Sequence, residues 1–181
     1  MMMRKINAVL SGGILILFVI HVVLGTFNLF GIGSVTTKEI AWAAVLLIVI
    51  HTIIGIILTA QSVRVWRKTG VSYFKENRLF WARRISGFLI MVLIFFHITA
   101  FSTTNDHGLR LPLFDEFRLI TQILLVAAIA VHVITNVKPM LISFGIKKLR
   151  PKAGDIIFWL SVLMLAAAAG FIVYYIRWIA V

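Results

Sequence analysis

Five long apolar stretches set the terms for this chain: about Asn7–Ile32, Ile40–Gln61, Ile85–Phe101, Leu119–Val137 and Ile156–Ile176. Each is close to the ~20 residues a helix needs to cross the hydrocarbon core of a bilayer. All six acids (Glu39, Glu76, Asp106, Asp115, Glu116 and Asp155) fall outside them. With 61% hydrophobic and only 13% charged residues, the 181-residue chain has too little polar surface for a soluble domain. The expected fold is all-α: one integral membrane bundle of five transmembrane helices, residues 1–181, in a multi-pass arrangement. The first stretch follows Arg4 and Lys5 as a signal peptide would, but no small-residue cleavage site comes after it, so a retained helix is expected.

Charge gives the orientation. All but four of the 18 lysines and arginines (Lys38, Arg110, Arg118 and Arg177) belong to the N-terminus, the loop Ser62–Arg84 and the loop Lys138–Asp155. The positive-inside rule then makes the N-terminus cytoplasmic and the C-terminus external, in the cytoplasmic membrane. The net charge of +12 lies wholly on the inner side, because the four outer cations are matched by Glu39, Asp106, Asp115 and Glu116. It is read as topology signal and contact with anionic lipid, not as a nucleic-acid surface. The two inner loops are expected as interfacial segments: the first is basic and aromatic, and the second contains Pro139 and Pro151. The sequence has no cysteine, which excludes disulfides, thiolate-bound iron–sulfur clusters and covalent c-type haem attachment within it.

Four histidines sit one apiece in the first four spans: His21, His51, His97 and His132. Ionisable side chains are costly in hydrocarbon and usually functional where they occur. Depth sorts them. His21 lies 16 residues beyond Lys5, and His97 lies 13 beyond Arg84, on helices that run outward. His51 lies 13 residues beyond Lys38, and His132 lies 14 beyond Arg118, on helices that run inward. At ~1.5 Å rise per residue, His21 and His97 share a level in the outer half, and His51 and His132 share one in the inner half. Each pair comes from two parallel helices, as a flat macrocycle held between two imidazoles requires.

Other residues fit that picture less specifically. Gly12, Gly13, Gly25, Gly55 and Gly87 lie on histidine-bearing helices and could give a haem room, although membrane helices favour small residues for packing in any case. Arg83, Arg84 and Ser86 cluster at the start of the third span, where haem propionates need cations and hydroxyls; topology and snorkelling are the competing explanation. For a quinone near the outer pair the candidates are Asn28, Glu39, Trp42, Asp106 and His107. His107, beside Asp106, reads first as a solvated loop residue. A weak internal repeat places Ser11-Gly12 ahead of His21 and Ser86-Gly87 ahead of His97.

With these residues in view, the chain resembles the single-subunit, five-helix diheme cytochrome b anchor of succinate dehydrogenases and fumarate reductases. In that family each of the first four helices carries one haem ligand, the first pairing with the third and the second with the fourth, while the fifth carries none. His21, His51, His97 and His132 match one for one, and Arg84-Ile85-Ser86-Gly87 resembles the family's Arg-x-Ser-Gly run. The resemblance implies two b haems, with Arg83, Arg84, Ser86 and Gly87 as contacts. It also implies a flavoprotein and an iron–sulfur protein docked on the cytoplasmic face, and a membrane quinone, expected as menaquinone. The dicarboxylate chemistry would belong to those partners, so the chain alone would be non-catalytic for it. No carboxylate lies within a span, which leaves no residues for a transmembrane acidic proton relay.

Two alternatives remain open at this point. A stand-alone carrier of the cytochrome b561 kind also places one histidine on each of four helices, but usually has an extra helix before the first of them. A haem-free transporter could use the histidines for zinc or protons; ligands to a single metal would then converge at one depth.

Overall fold

A computed structural model describes residues 2–32, 37–70, 78–101, 114–145 and 151–179, with the backbone alone for Trp178. Five helices account for nearly all of them: α1 (Met2–Leu29), α2 (Lys38–Thr69), α3 (Arg78–Phe101), α4 (Glu116–Ser143) and α5 (Ala153–Ile179). Each is long and apolar enough to cross a membrane. Their outer surface is what lipid, not water, would accept: Ile16, Leu46, Ile56, Phe88, Phe95 and Leu165 are all exposed. A soluble protein does not carry so much contiguous apolar surface. The chain is a multi-pass membrane protein.

The ends of the helices show why they stop where they do. Asp115 accepts a hydrogen bond from the Arg118 backbone N–H at 2.8 Å, capping α4. Gly70 ends α2 in the left-handed conformation at φ 69°, with its N–H returned to the Trp66 carbonyl at 2.9 Å. Past the end of α1, Gly31 adopts φ 74°, and Arg177 of α5 donates to the neighbouring Phe30 carbonyl at 2.6 Å. A Cβ on Gly31 would stand 2.8 Å from that guanidinium, so both the backbone angle and the approach call for glycine.

Two expected loops are shorter than the hydropathy suggests. The Ser62–Arg84 segment is helical from Ser62 to Thr69 and again from Arg78, and Lys138–Ser143 belongs to α4. Loss of hydropathy marks the edge of hydrocarbon, not the end of hydrogen bonding. A helix continues into the interface with its charged side chains solvated until a breaker such as Gly70 intervenes. Residues 71–77 and 146–150, where the interfacial segments were expected, lie outside the described residues. Pro139 is therefore inside a helix. Its missing N–H leaves the carbonyl of Thr135, four residues back, without its helical donor.

Packing divides the bundle into two hairpins. α1 lies along α2, α3 lies along α4, and α5 closes against both α4 and α1. The shared core forms where α4 meets α5, from Val137, Leu141, Ala153, Leu160 and Met164, with Leu15, Phe18 and Val19 of α1 packed onto it. The helix pairs that carry matched histidines, α1 with α3 and α2 with α4, are not among the closely packed pairs.

Candidate functional site

The four intramembrane histidines meet as two pairs. The His21 and His97 rings lie 5.9 Å apart, centre to centre, with planes 80° apart. The His51 and His132 rings lie 6.4 Å apart, with planes 84° apart. Ser11 of α1 and Ser86 of α3 both approach the His51/His132 pair, ten and eleven residues before His21 and His97 on the same helices. At ~1.5 Å per residue the two pairs are therefore stacked about 15 Å apart along the bundle.

Hydrogen bonding fixes which ring nitrogen is free. The Ser11 hydroxyl donates to the Asn7 carbonyl at 2.8 Å and the Ser86 hydroxyl to the Arg83 carbonyl at 3.3 Å. A hydroxyl carries one hydrogen, so a serine oxygen that donates to a carbonyl is left to accept from an imidazole. The His51 Nδ1–H reaches Ser11 Oγ at 3.4 Å, a long bond, and the His132 Nδ1–H reaches Ser86 Oγ at 3.2 Å. In the other pair, the Thr121 hydroxyl donates to the Arg118 carbonyl at 2.8 Å and accepts from Gln122 Nε2 at 3.4 Å. That orientation turns Gln122 Oε1 toward His97, whose Nδ1–H it accepts at 2.8 Å. His97, held by an amide oxygen, thus carries its proton on Nδ1 and its lone pair on Nε2, and the serine contacts accommodate the same tautomer at His51 and His132. This is the tautomer that metal-binding histidines adopt when an outer group holds the second nitrogen.

Gln122 is fully buried and Ser86 is 3% exposed. Polar groups sealed this completely in an apolar bundle are tolerated because they are bonded. Neither Ser11 nor Gln122 stands out as a site residue from sequence. The available signals were a polar amide inside the fourth span and the Ser-Gly repeat, which turns out to mark serines that hold the histidine of the next helix in each hairpin.

The arginines belong to the His51/His132 end. Arg83 Nε donates to the Thr135 carbonyl at 3.0 Å, the acceptor that Pro139 releases. The Arg84 guanidinium lies 5.1 Å from the centre of the Phe80 ring, and its Nη1 stands 3.6 Å from where a Cβ on Gly55 would be. Arg84 Nε is buried with no hydrogen-bond partner among the described residues, and so is Asn7 Oδ1. Gly87 lies against the His132 ring itself: a Cβ there would come within 3.3 Å of Cε1. At the other pair, Gly25, one turn beyond His21, has no atom within 4 Å of its Cβ position. Phe101 and Phe171 flank His97, with ring centres at 5.2 and 6.5 Å.

The arrangement fits a haem. Two imidazoles that held one metal between them, at about 2 Å per metal–nitrogen bond, would have ring centres about 6 Å apart, close to both observed separations. α1 is not closely packed on α3, nor α2 on α4, no atom lies within 4 Å of the Gly25 Cβ position, and Arg84 has a buried Nε–H with no acceptor among the described residues, as a propionate would supply. The donor set of neutral imidazoles suits iron. Among the described residues no three histidine or acidic side chains converge as a metal cluster.

Of the quinone candidates, Asn28 lies near the end of α1, and Glu39 and Trp42 near the start of α2. Glu39 is exposed, and Trp42, 60% exposed on α2, sits as an interfacial tryptophan does. Asn28 lies on α1 two turns past His21 with its Oδ1 buried. Asp106 and His107 lie outside the described residues. Among the described residues, fold and site together define a membrane protein of five spanning helices with two stacked histidine pairs. Comparison of the chain with family models, curated proteins and solved structures gives no match.

Proposed function

We propose that this protein is an electron-transfer subunit that holds two b haems in the membrane, one between His21 and His97 and one between His51 and His132. The observation that carries the reading is the meeting of four intramembrane histidines as two pairs at 5.9 and 6.4 Å, three of them held at Nδ1 by a hydroxyl or an amide. Haem supplies reversible one-electron chemistry at a depth where the polypeptide has none. The chain's own residues bind and orient it. The imidazoles offer Nε2, while Ser11, Ser86 and Gln122 fix the rings. Arg83, anchored on the Thr135 carbonyl, and Arg84 offer positive charge to a carboxylate at the same end. A separation of about 15 Å between the pairs, from the rise of the helices, suits transfer of an electron from one centre to the next.

In this reading the basic face is cytoplasmic and docks a flavoprotein and an iron–sulfur protein of the succinate dehydrogenase or fumarate reductase kind. Menaquinone exchanges electrons at the other end. The dehydrogenase partners rest on the family resemblance, and the docking face on the concentration of Lys and Arg at one end of the bundle. The test is purification of the intact protein, haem quantification, and dithionite-reduced minus oxidised spectra. Two b haems per chain are expected, and a haem-free chain with unchanged folding would overturn the proposal. Co-purification of a flavoprotein and an iron–sulfur subunit separates the dehydrogenase anchor from a stand-alone b561-like carrier.

A further inference from the structure

The two histidine pairs are not equivalent. His51, His97 and His132 each have Nδ1 held by a neighbouring side chain, whereas His21 Nδ1 is buried and finds no hydrogen-bond partner among the described residues. The place where a partner would stand can be identified from the antiparallel register of each hairpin. Ser11 lies level with His51, so His21, ten residues further along α1, lies level with Ala41, ten residues before His51 on α2. In the second hairpin the residue ten before His132 is Gln122, and it is level with His97. At the level of His21 the first hairpin thus has an alanine where the second, at the level of His97, has an amide. On the same face of α1, one turn beyond His21, Gly25 borders open space.

We propose that the His21/His97 pair is a cofactor site with one exchangeable ligand, at which a small neutral diatomic such as carbon monoxide displaces His21 from reduced haem. The inference rests on the two-haem reading above. An imidazole whose second nitrogen is held by an acceptor is a better oriented and more basic ligand, and loss of such a partner typically costs 10–100-fold in metal affinity. His97 has its acceptor and is flanked by Phe101 and Phe171; His21 has neither advantage. At the second pair both rings are anchored, so that site stays closed. The exchange is a ligand substitution at ferrous iron. In the haem-loaded chain His21 Nε2 would give up the metal to the carbon of the diatomic and the imidazole would leave neutral, with no electron or proton moved.

The experiment uses the full chain in detergent, with haem counted first, then reduced by dithionite and titrated with carbon monoxide while the difference spectrum is read. Binding at one haem of the two is expected. Ala41→Gln, which restores the missing acceptor, should weaken binding tenfold or more. Ala41→Ser, a smaller replacement, should shift it in the same direction. Gln122→Leu should strengthen binding, because neither ring of the pair is then held. Two haems with no carbon monoxide binding in the unmodified chain, or binding indifferent to both Ala41 variants, overturns this inference and leaves the two-haem reading standing. A chain that contains no haem overturns both.

Discussion

Gln122→Leu tests whether a single buried amide acts on the fold or on the site. The side chain is fully buried, and its Oε1 accepts from His97 Nδ1 at 2.8 Å. Leucine nearly conserves volume, so cavity terms are small and the loss is that of the hydrogen bond. Side-chain hydrogen bonds within membrane bundles are worth ~0.6 kcal/mol on average and up to ~1.7. The outer-group contribution to metal affinity is larger, 10–100-fold or about 1.4–2.7 kcal/mol. The site should therefore fail before the fold does. In a titration of haem into apoprotein, the variant should fill the His51/His132 pair normally and the His21/His97 pair at least tenfold more weakly. Its unfolding midpoint in detergent should fall no further than the hydrogen-bond term allows. Ser161→Ala serves as the control, because that hydroxyl bonds only the Ile157 carbonyl of its own helix. A haem affinity at the His21/His97 pair unchanged from the parent in Gln122→Leu would refute the claim that the amide positions His97.

Ser11→Ala and Ser86→Ala should each weaken haem at the His51/His132 pair while sparing the other, with Ser86 the larger effect because its contact is shorter (3.2 against 3.4 Å); absorbance titration checks the order. Pro139→Ala returns an N–H to the Thr135 carbonyl in competition with Arg83. In a double-mutant cycle, Arg83→Gln should then destabilise the Pro139→Ala background less than the parent, and additive effects would count against the shared acceptor. Arg84→Gln relieves a buried guanidinium of its unmet Nε–H, so the apoprotein should unfold no more easily than the parent, while haem binding at the basic end weakens. Gly87→Ala forces the His132 ring to yield from a 3.3 Å contact and should cost about 1–3 kcal/mol. Gly25→Ala, which meets nothing within 4 Å, should leave the apoprotein unchanged in the same thermal melt.

Much of the architecture was legible in the chain because hydrocarbon imposes simple rules. Five apolar runs of spanning length became five helices, and counting residues from the flanking charges brought His21 level with His97 and His51 level with His132. The helix ends were less legible. Ser62–Thr69 and Lys138–Ser143 are polar enough to leave the hydrocarbon, yet they keep helical hydrogen bonds until Gly70 or the turn after Ser143.

The sequence by itself points to the five spanning helices found among the described residues and to the level of each histidine along its own helix, since both follow from hydropathy and a fixed rise per residue along one chain. Tertiary structure alone decides what holds each ring. The tautomers depend on Ser11, Ser86 and Gln122 reaching across to a neighbouring helix, and that depends on the rotation and register of one helix against another. The same holds for Arg83, which finds its acceptor only because Pro139, on a different helix, leaves a carbonyl free. It holds for His21 as well, whose Nδ1 is seen to lack a partner among the described residues only once the neighbouring helices are in place. Depth is a property of one helix; a hydrogen bond between helices is a property of two.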